Sequence, residues 1–364
     1  MYENDNRIVM TLDAGGTNFV FTAIQGCREI VEPIRLDAVN DDIERCLAVL
    51  VDGFRKVEAE LTEKPVAISF AFPGPADYAN GIIGDLPNFP CFRGGVAMGP
   101  FLSETFGMPV FINNDGNLYA YGEALSGKLP ELNARLAAEG STKVYRNLLG
   151  ITLGTGYGAG VVIDGNLLTG DNGCGGDVWL MRNSKYPQVI CEESVSIRAV
   201  KRVYHELAPE DTRELTPKDI FDIAEGTAEG NADAARETFA EMGRVAADAL
   251  AHALDIVDGI VAVGGGLSGA AKYIIPAMVE QLNSETGMMS GERFPQLQAK
   301  ALNLMTDEGM AEFLEDRSKM VKVPGFDKYA RYCNEKKIGI APSSIGTSTA
   351  ISLGAYAFAL SHID

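Results

Sequence analysis

Ile8-Val9-Met10-Thr11-Leu12-Asp13-Ala14-Gly15-Gly16-Thr17-Asn18-Phe19-Val20-Phe21-Thr22-Ala23-Ile24 is the stretch on which the reading of the fold depends. Its two arms, Ile8 to Leu12 and Phe19 to Ile24, are rich in the branched and aromatic residues of buried strands. Between them, Asp13 to Asn18 is a glycine turn, so the whole reads as a hairpin. Glycines let backbone N–H groups approach a phosphate closely, and Thr17 and Asn18 add neutral donors. Asp13 adds a carboxylate for Mg²⁺, directly or through water. A tight hairpin with a polar cap would have the same composition, so this turn alone does not decide the chemistry.

The pattern restarts further on. Leu148 to Leu153 reads as a strand, Gly154-Thr155-Gly156-Tyr157-Gly158-Ala159-Gly160 as a turn, and Val161 to Ile163 as a return strand closed by Asp164-Gly165. A dinucleotide fingerprint would need a helix after these glycines. The strand pattern there disfavours a nicotinamide-dependent dehydrogenase and fits a second phosphate-gripping hairpin. A third glycine run, Gly264-Gly265-Gly266, follows the apolar strand Gly259 to Val263 and opens a helix. It allows either close approach of a flat or anionic ligand or simply a tight turn. Between the two hairpins, Val110 to Asn113 runs into Asn114-Asp115-Gly116-Asn117, where a helix begins. A carboxylate there serves either as a helix cap or as the acceptor of a hydroxyl proton in phosphoryl transfer. Other elements include a helix from Asp41 to Leu61 with Ile43, Leu47, Leu50, Val51 and Phe54 on one face, a strand from Val66 to Phe72, and a helix from Ala232 to Leu254.

Composition narrows the partners. The chain has 364 residues, more than one core usually supports, so two domains are expected. Its net charge of −19 repels phosphate backbones and anionic lipid, so neither nucleic acid nor a membrane is an expected partner. No apolar run reaches membrane-spanning length, and the polar, acidic Met1 to Arg7 is unlike a secretory leader, so a cytoplasmic location is expected. The six cysteines form no C-x-x-C pair, and with three scattered histidines a metal framework is not expected. Reduced, mostly buried thiols are the plain expectation.

Taken together and in order, these motifs resemble the acetate/sugar kinase, Hsp70 and actin superfamily. They are most similar to the glucokinase-like members of the ROK family of sugar kinases. The residues that carry the resemblance are Leu12 to Asn18, Phe72-Pro73-Gly74-Pro75, Pro87-Asn88-Phe89, Asn113 to Asn117 with Gly122-Glu123, Leu153 to Gly160 with Leu168-Thr169-Gly170, Val263 to Ser268, and Ile345-Gly346 through Gly354-Ala355. The resemblance implies a two-domain α/β fold of the ribonuclease H-like, actin-like class with an ATP cleft between the domains. It implies transfer of a phosphoryl group from ATP to a hexose, with glucose leading over fructose, mannose and N-acetylglucosamine. Asp115 resembles the catalytic base, Asn114 and Asn88 sugar ligands, and Asp13 the residue that organises Mg²⁺. Gly15, Gly16, Thr17 and Asn18 with Gly154, Thr155 and Gly156 resemble the phosphate sites, and Gly264, Gly265 and Gly266 the adenosine site.

The sequence also departs from the family. Where many members have G-x-x-G-E-x-G-H, this chain has Gly173-Cys174-Gly175-Gly176-Asp177-Val178-Trp179-Leu180. Asp177 replaces the sugar-binding Glu, Leu180 replaces the His, and the cysteine-rich zinc motif is absent, so no zinc is expected. Cys191-Glu192, four residues before Ser196, matches the family's later sugar-binding Glu. The expected division is a small domain of residues 1–121 and 345–364, closed by a returning helix at about Thr347 to Leu360, and a large domain of residues 122–344. A charged segment at about 284–337 reads as a helical insertion, a cap or an oligomer contact, and a homodimer is expected. The rival in another class is a non-catalytic sugar-binding regulator of the same family. Asp115, the acidic charge and the first strand's start at Ile8 disfavour it.

Overall fold

A computed structural model describes residues 2–14, 18–85 and 90–363. The turn residues Gly15, Gly16 and Thr17, and Asn88, lie outside the described residues. The chain divides into two compact units. The first comprises Met1–Lys128, Gly158–Asp177 and Ser343–Asp364, and the second Leu129–Tyr157 and Val178–Pro342.

In the first unit a sheet runs in the order Arg28–Glu29, Asn18–Gln25, Val9–Ala14, Ala67–Ala71, Val110–Asn113, with Ile34–Asp37 also paired to Asn18–Gln25. The opening hairpin forms as its composition predicts, with Val9 opposite Ile24 and Asp13 opposite Val20. Val9–Ala14, Ala67–Ala71 and Val110–Asn113 are parallel. Asp13 is level with Ala71, and Ala71 with Asn113, so the carboxyl ends of three strands share one edge. In open α/β sheets that edge is where ligands bind.

Helix Ile43–Glu60 covers one face, capped by the Asp42 carboxylate, which accepts from the Arg45 N–H at 3.0 Å. Its buried stripe is Cys46, Leu50, Gly53, Phe54 and Val57. The expected Ile43, Leu47 and Val51 are only partly buried against it. The stripe is rotated because Gly53 lets the Phe21 ring reach the helix and stack edge-on to Phe54 at 5.1 Å. Helices Asp115–Leu125 and Thr347–His362 belong to the same unit. Leu353, Tyr356, Ala359 and Leu360 pack with Val9, Ile24 and Ala67, and Leu118 and Ala355 with Ala71. The C-terminal helix thus returns to the first sheet as expected. Glu123 is fully buried, and its carboxylate accepts from the Lys128 N–H at 2.7 Å and from the Ser343 hydroxyl.

In the second unit, Leu148–Leu153, Ile260–Gly264, Lys337–Pro342 and Lys300–Asn303 form parallel pairs in that order. The helix Ala232–Val257, expected from Ala232 to Leu254, is the long helix of this unit.

Three expectations are corrected. The segment 284–337 is mainly β rather than helical. It holds hairpins Glu285–Gly287 with Arg293–Pro295 and Lys319–Lys322 with Tyr329–Tyr332, one short helix Asp307–Leu314, and Lys300–Asn303, which joins the parallel sheet. Helix-favouring charge is outweighed here by glycine turns, with Gly291 and Gly325 at positive φ. The unit boundary also differs. Residues 158–177 fold with the first unit because Gly160 packs directly on the Gly116–Asn117 backbone. Of the cysteines, only Cys46 and Cys191 are buried, while Cys174 and Cys333 are exposed, so the thiols are not mostly buried. Among the described residues, no helix is long and apolar enough to cross a membrane.

Candidate active site

The first unit gathers its acidic side chains at the shared strand edge. Val110–Asn113 ends in Asn114, whose extended backbone and side-chain oxygen cap the next helix by accepting from the Gly116 N–H at 2.8 Å. Asp115 is the first helical residue, and its own Oδ1 accepts from the same N–H at 2.8 Å. Behind them, the Asn113 Oδ1 accepts from the Asn114 N–H at 2.8 Å and the Asn117 Nδ2 at 3.0 Å. The helix can start so close to its neighbours because Gly116 has no Cβ. One built there would stand 2.7 Å from the Ala159 carbonyl oxygen.

The Asp115 side chain is open to water, yet protein atoms crowd around it on most sides. That loss of bulk solvent raises its carboxyl above the usual carboxylate range. The backbone hydrogen bonds oppose the rise, and the charge of Asp13 adds to it. Two carboxylates at one strand edge form a setting whose negative charge a divalent cation would offset. Asp13 is exposed. Among the described residues, no group of three or more His, Cys, Asp and Glu is placed to hold a metal by protein ligands alone.

Tyr78 completes this cluster. Its hydroxyl donates to the Phe72 carbonyl at 2.9 Å. Burial pushes that hydroxyl up, a hydrogen bond with Asn114 opposes the shift, and the charges of Asp115 and Asp177 reinforce it. Asp177 therefore belongs to the same electrostatic neighbourhood as Asn114 and Asp115. Leu180 belongs to the second unit and is 54% exposed.

The second unit carries its own glycine edge. Gly264 is level with Thr152 at the carboxyl ends of two parallel strands. Gly265 has φ of 86°, and a Cβ there would stand 2.7 Å from the Leu153 carbonyl carbon, so only glycine fits. At Gly154 and Gly266 an added Cβ would meet nothing, which leaves the backbone open to a ligand. Thr155 is exposed. The Glu192 carboxylate, which the family resemblance assigns to the sugar, accepts from the Tyr157 N–H at 3.0 Å and pairs with Arg198 at 2.9 Å. A Cβ on Gly156 would lie 2.6 Å from that carboxylate, so the turn and Glu192 are fitted to each other.

A family model for the ROK family matches residues 9–311, most of the chain and all of the motifs just described before the C-terminal turn. The chain belongs to the ROK family. It is 28% identical over 290 residues to a glucokinase of Thermotoga maritima, covering 74% of this chain and 86% of that protein. It is 25% identical over 315 residues to an N-acetyl-D-glucosamine kinase of Photobacterium profundum, covering 78% and 97%. Among solved structures, a glucokinase from Parabacteroides distasonis is 58% identical and superposes over all of both chains with a TM-score of 0.91. The α/β architecture is that of the actin-like sugar kinases.

Within this ROK chain, the structure brings Asp13, Asn114, Asp115 and Asp177 into one unit and Gly154 to Gly156, Glu192 and Gly264 to Gly266 into the other. Asn18 begins the return strand after the first turn. The sequence reading missed Tyr78 and Arg198. The only signal for Tyr78 was its position three residues after the Pro73-Gly74-Pro75 turn, which carries a cis Gly74–Pro75 bond. Arg198 lies on an ordinary amphipathic helix and had no signal at all.

Proposed function

We propose that this chain transfers the γ-phosphoryl group of ATP to the 6-hydroxyl of glucose, giving glucose 6-phosphate and ADP. The observation that carries the reading is Asp115. It stands at the carboxyl edge of a parallel sheet, at the start of a helix, with its carboxyl raised above the usual carboxylate range, mainly by the protein crowded around it. A base with a raised value is better matched to a hydroxyl proton than an ordinary carboxylate. As the sugar oxygen bonds to the γ-phosphorus, the bond from that phosphorus to the ADP oxygen breaks, and Asp115 accepts the hydroxyl proton.

The remaining roles follow the same reading. Asn88, Asn114, Asp177 and Glu192 are the sugar ligands, and Arg198 and the Tyr157 N–H hold the Glu192 carboxylate in a set orientation. Gly15, Gly16, Thr17, Asn18, Gly154, Thr155 and Gly156 offer backbone and hydroxyl donors to phosphates, and Gly264 to Gly266 leave room for adenosine. Asp13 would hold a Mg²⁺ ion directly or through water, and the ion would offset the charge of the ATP phosphates. The enzyme works in the cytoplasm as a homodimer and takes no zinc.

The test is ADP formation by the purified chain across glucose, fructose, mannose and N-acetylglucosamine. Glucose should give the highest kcat/KM. Preference for N-acetylglucosamine would move the substrate to that of the Photobacterium relative. Sugar binding without ADP formation would leave only a regulator.

A further inference from the structure

The hairpin Lys319–Lys322 with Tyr329–Tyr332 has every strand residue exposed. It carries Met320, Phe326, Tyr329 and Tyr332, each between 48% and 64% exposed. A second hairpin in the same insertion exposes Met288, Met289 and Phe294. A two-stranded hairpin is at best marginally stable alone in water. Apolar side chains on an ordered ribbon with no core beneath it mark a surface that something covers.

Charge selects the occupant. From Lys319 to Tyr332 there are four cations, Lys319, Lys322, Lys328 and Arg331, against one carboxylate, Asp327, on a chain of net charge −19. Asp316 engages Arg331 within the chain. Lys319 lies over the Tyr332 ring at 5.8 Å. Among the described residues, Lys322 and Lys328 have no ion-pair partner. A basic ribbon on an acidic protein is complementary to the remainder of that same protein. Two such ribbons facing each other would repel.

We propose that this hairpin is an arm by which two copies of the chain associate, each arm lying on the acidic body of the other. The exchange is reciprocal, so it closes as a two-fold dimer rather than growing into a filament. The apolar side chains supply the buried centre of the contact, and Lys322 and Lys328 set its partner and orientation. The proposal gives a surface to the homodimer named above. It stands apart from the kinase reading, since neither hairpin contains a residue assigned to catalysis or substrate binding.

The measurement is solution mass by light scattering and sedimentation at low and high salt. Wild type should run at twice 38.9 kDa and dissociate more readily as salt rises. Lys322→Glu with Lys328→Glu, and separately Met320→Ser with Tyr329→Ser, should each weaken the dimer about tenfold or more. Turnover per chain with glucose and the circular dichroism spectrum report that each variant is folded. A third variant, with residues 319–332 replaced by a short Gly-Ser loop, should be monomeric. A monomeric wild type at every concentration, or a dimer unchanged in all three variants, would overturn the proposal. A wild type held together only by anionic vesicles or nucleic acid would overturn it too.

Discussion

Asp115→Asn separates the two things the Asp115 carboxyl does. The amide still accepts from the Gly116 N–H, so the helix start survives. The base is lost, and turnover should fall about 10²- to 10⁴-fold with little change in glucose affinity. Wild-type turnover in this variant would remove Asp115 from the mechanism. Stability should move the other way. The native carboxyl is raised above its unfolded value, mainly by burial, so in the window between the two the native state binds more protons. Stability therefore falls as pH rises through that window, and above it the charged Asp115 costs stability. Asp115→Asn should melt at or above the wild-type temperature at pH 7 and lose that part of the pH dependence. For the same reason, the acid limb of kcat/KM in wild type should lie above the range of an ordinary Asp, about 3.9. A second residue-scale consequence follows if Asp177 takes the place of the sugar-binding Glu in the proposed function. Asp177 is one methylene shorter than the family Glu, and Leu180 cannot hydrogen-bond. A sugar hydroxyl left unpaired costs on the order of 1–3 kcal/mol, so discrimination should be relaxed. The check is kcat/KM for glucose against 2-deoxyglucose. A ratio of about 10⁴ or more would mean that the 2-hydroxyl is fully paired after all.

At the scale of elements, the helix that presents Asp115 approaches the C-terminal helix closely through glycines. Gly122 faces the Ala350 carbonyl of the C-terminal helix, and Gly354 faces the Leu118 carbonyl in return. In an isolated helix, Gly→Ala gains up to about 1 kcal/mol. Here the new methyl would fall on backbone that cannot swing aside as a side chain can, and overpacking of that kind costs about 1–3 kcal/mol. The clash should win. Gly122→Ala and Gly354→Ala should each lower the denaturant midpoint, and a rise in either would show that the two helices separate freely. The hairpins of the insertion mark the opposite case. Lys319-Met320-Val321-Lys322 has no alternation of buried and exposed positions, because all four residues are exposed. No period in the sequence could have announced a strand there, and its charge pointed to a helix.

For the whole molecule, metal dependence should follow the substrate rather than the fold. Asp13 is a single exposed carboxylate, suited to a cation that arrives with its phosphates. Removing Mg²⁺ should abolish turnover and leave the melting temperature unchanged. A zinc-selective chelator should alter neither. Stoichiometric zinc in the purified protein, or a melting temperature that falls with chelation, would overturn this.

What the sequence determined by itself was local or carried by motif. The opening hairpin, the strands Val110–Asn113 and Leu148–Leu153, the start of the helix at Asp115 and the membership of the ROK family could all be read there. Strand periodicity, capping and glycine conformation act within a few residues, so sequence order encodes them directly. Tertiary structure alone decided that Asp13, Ala71 and Asn113 stand level at one edge, because register between strands distant in sequence is set by packing. It alone brought Tyr78 to Asn114 and fitted Glu192 to the turn at Gly156. It also raised the Asp115 carboxyl, since desolvation is a property of everything that crowds around a group and not of its neighbours along the chain.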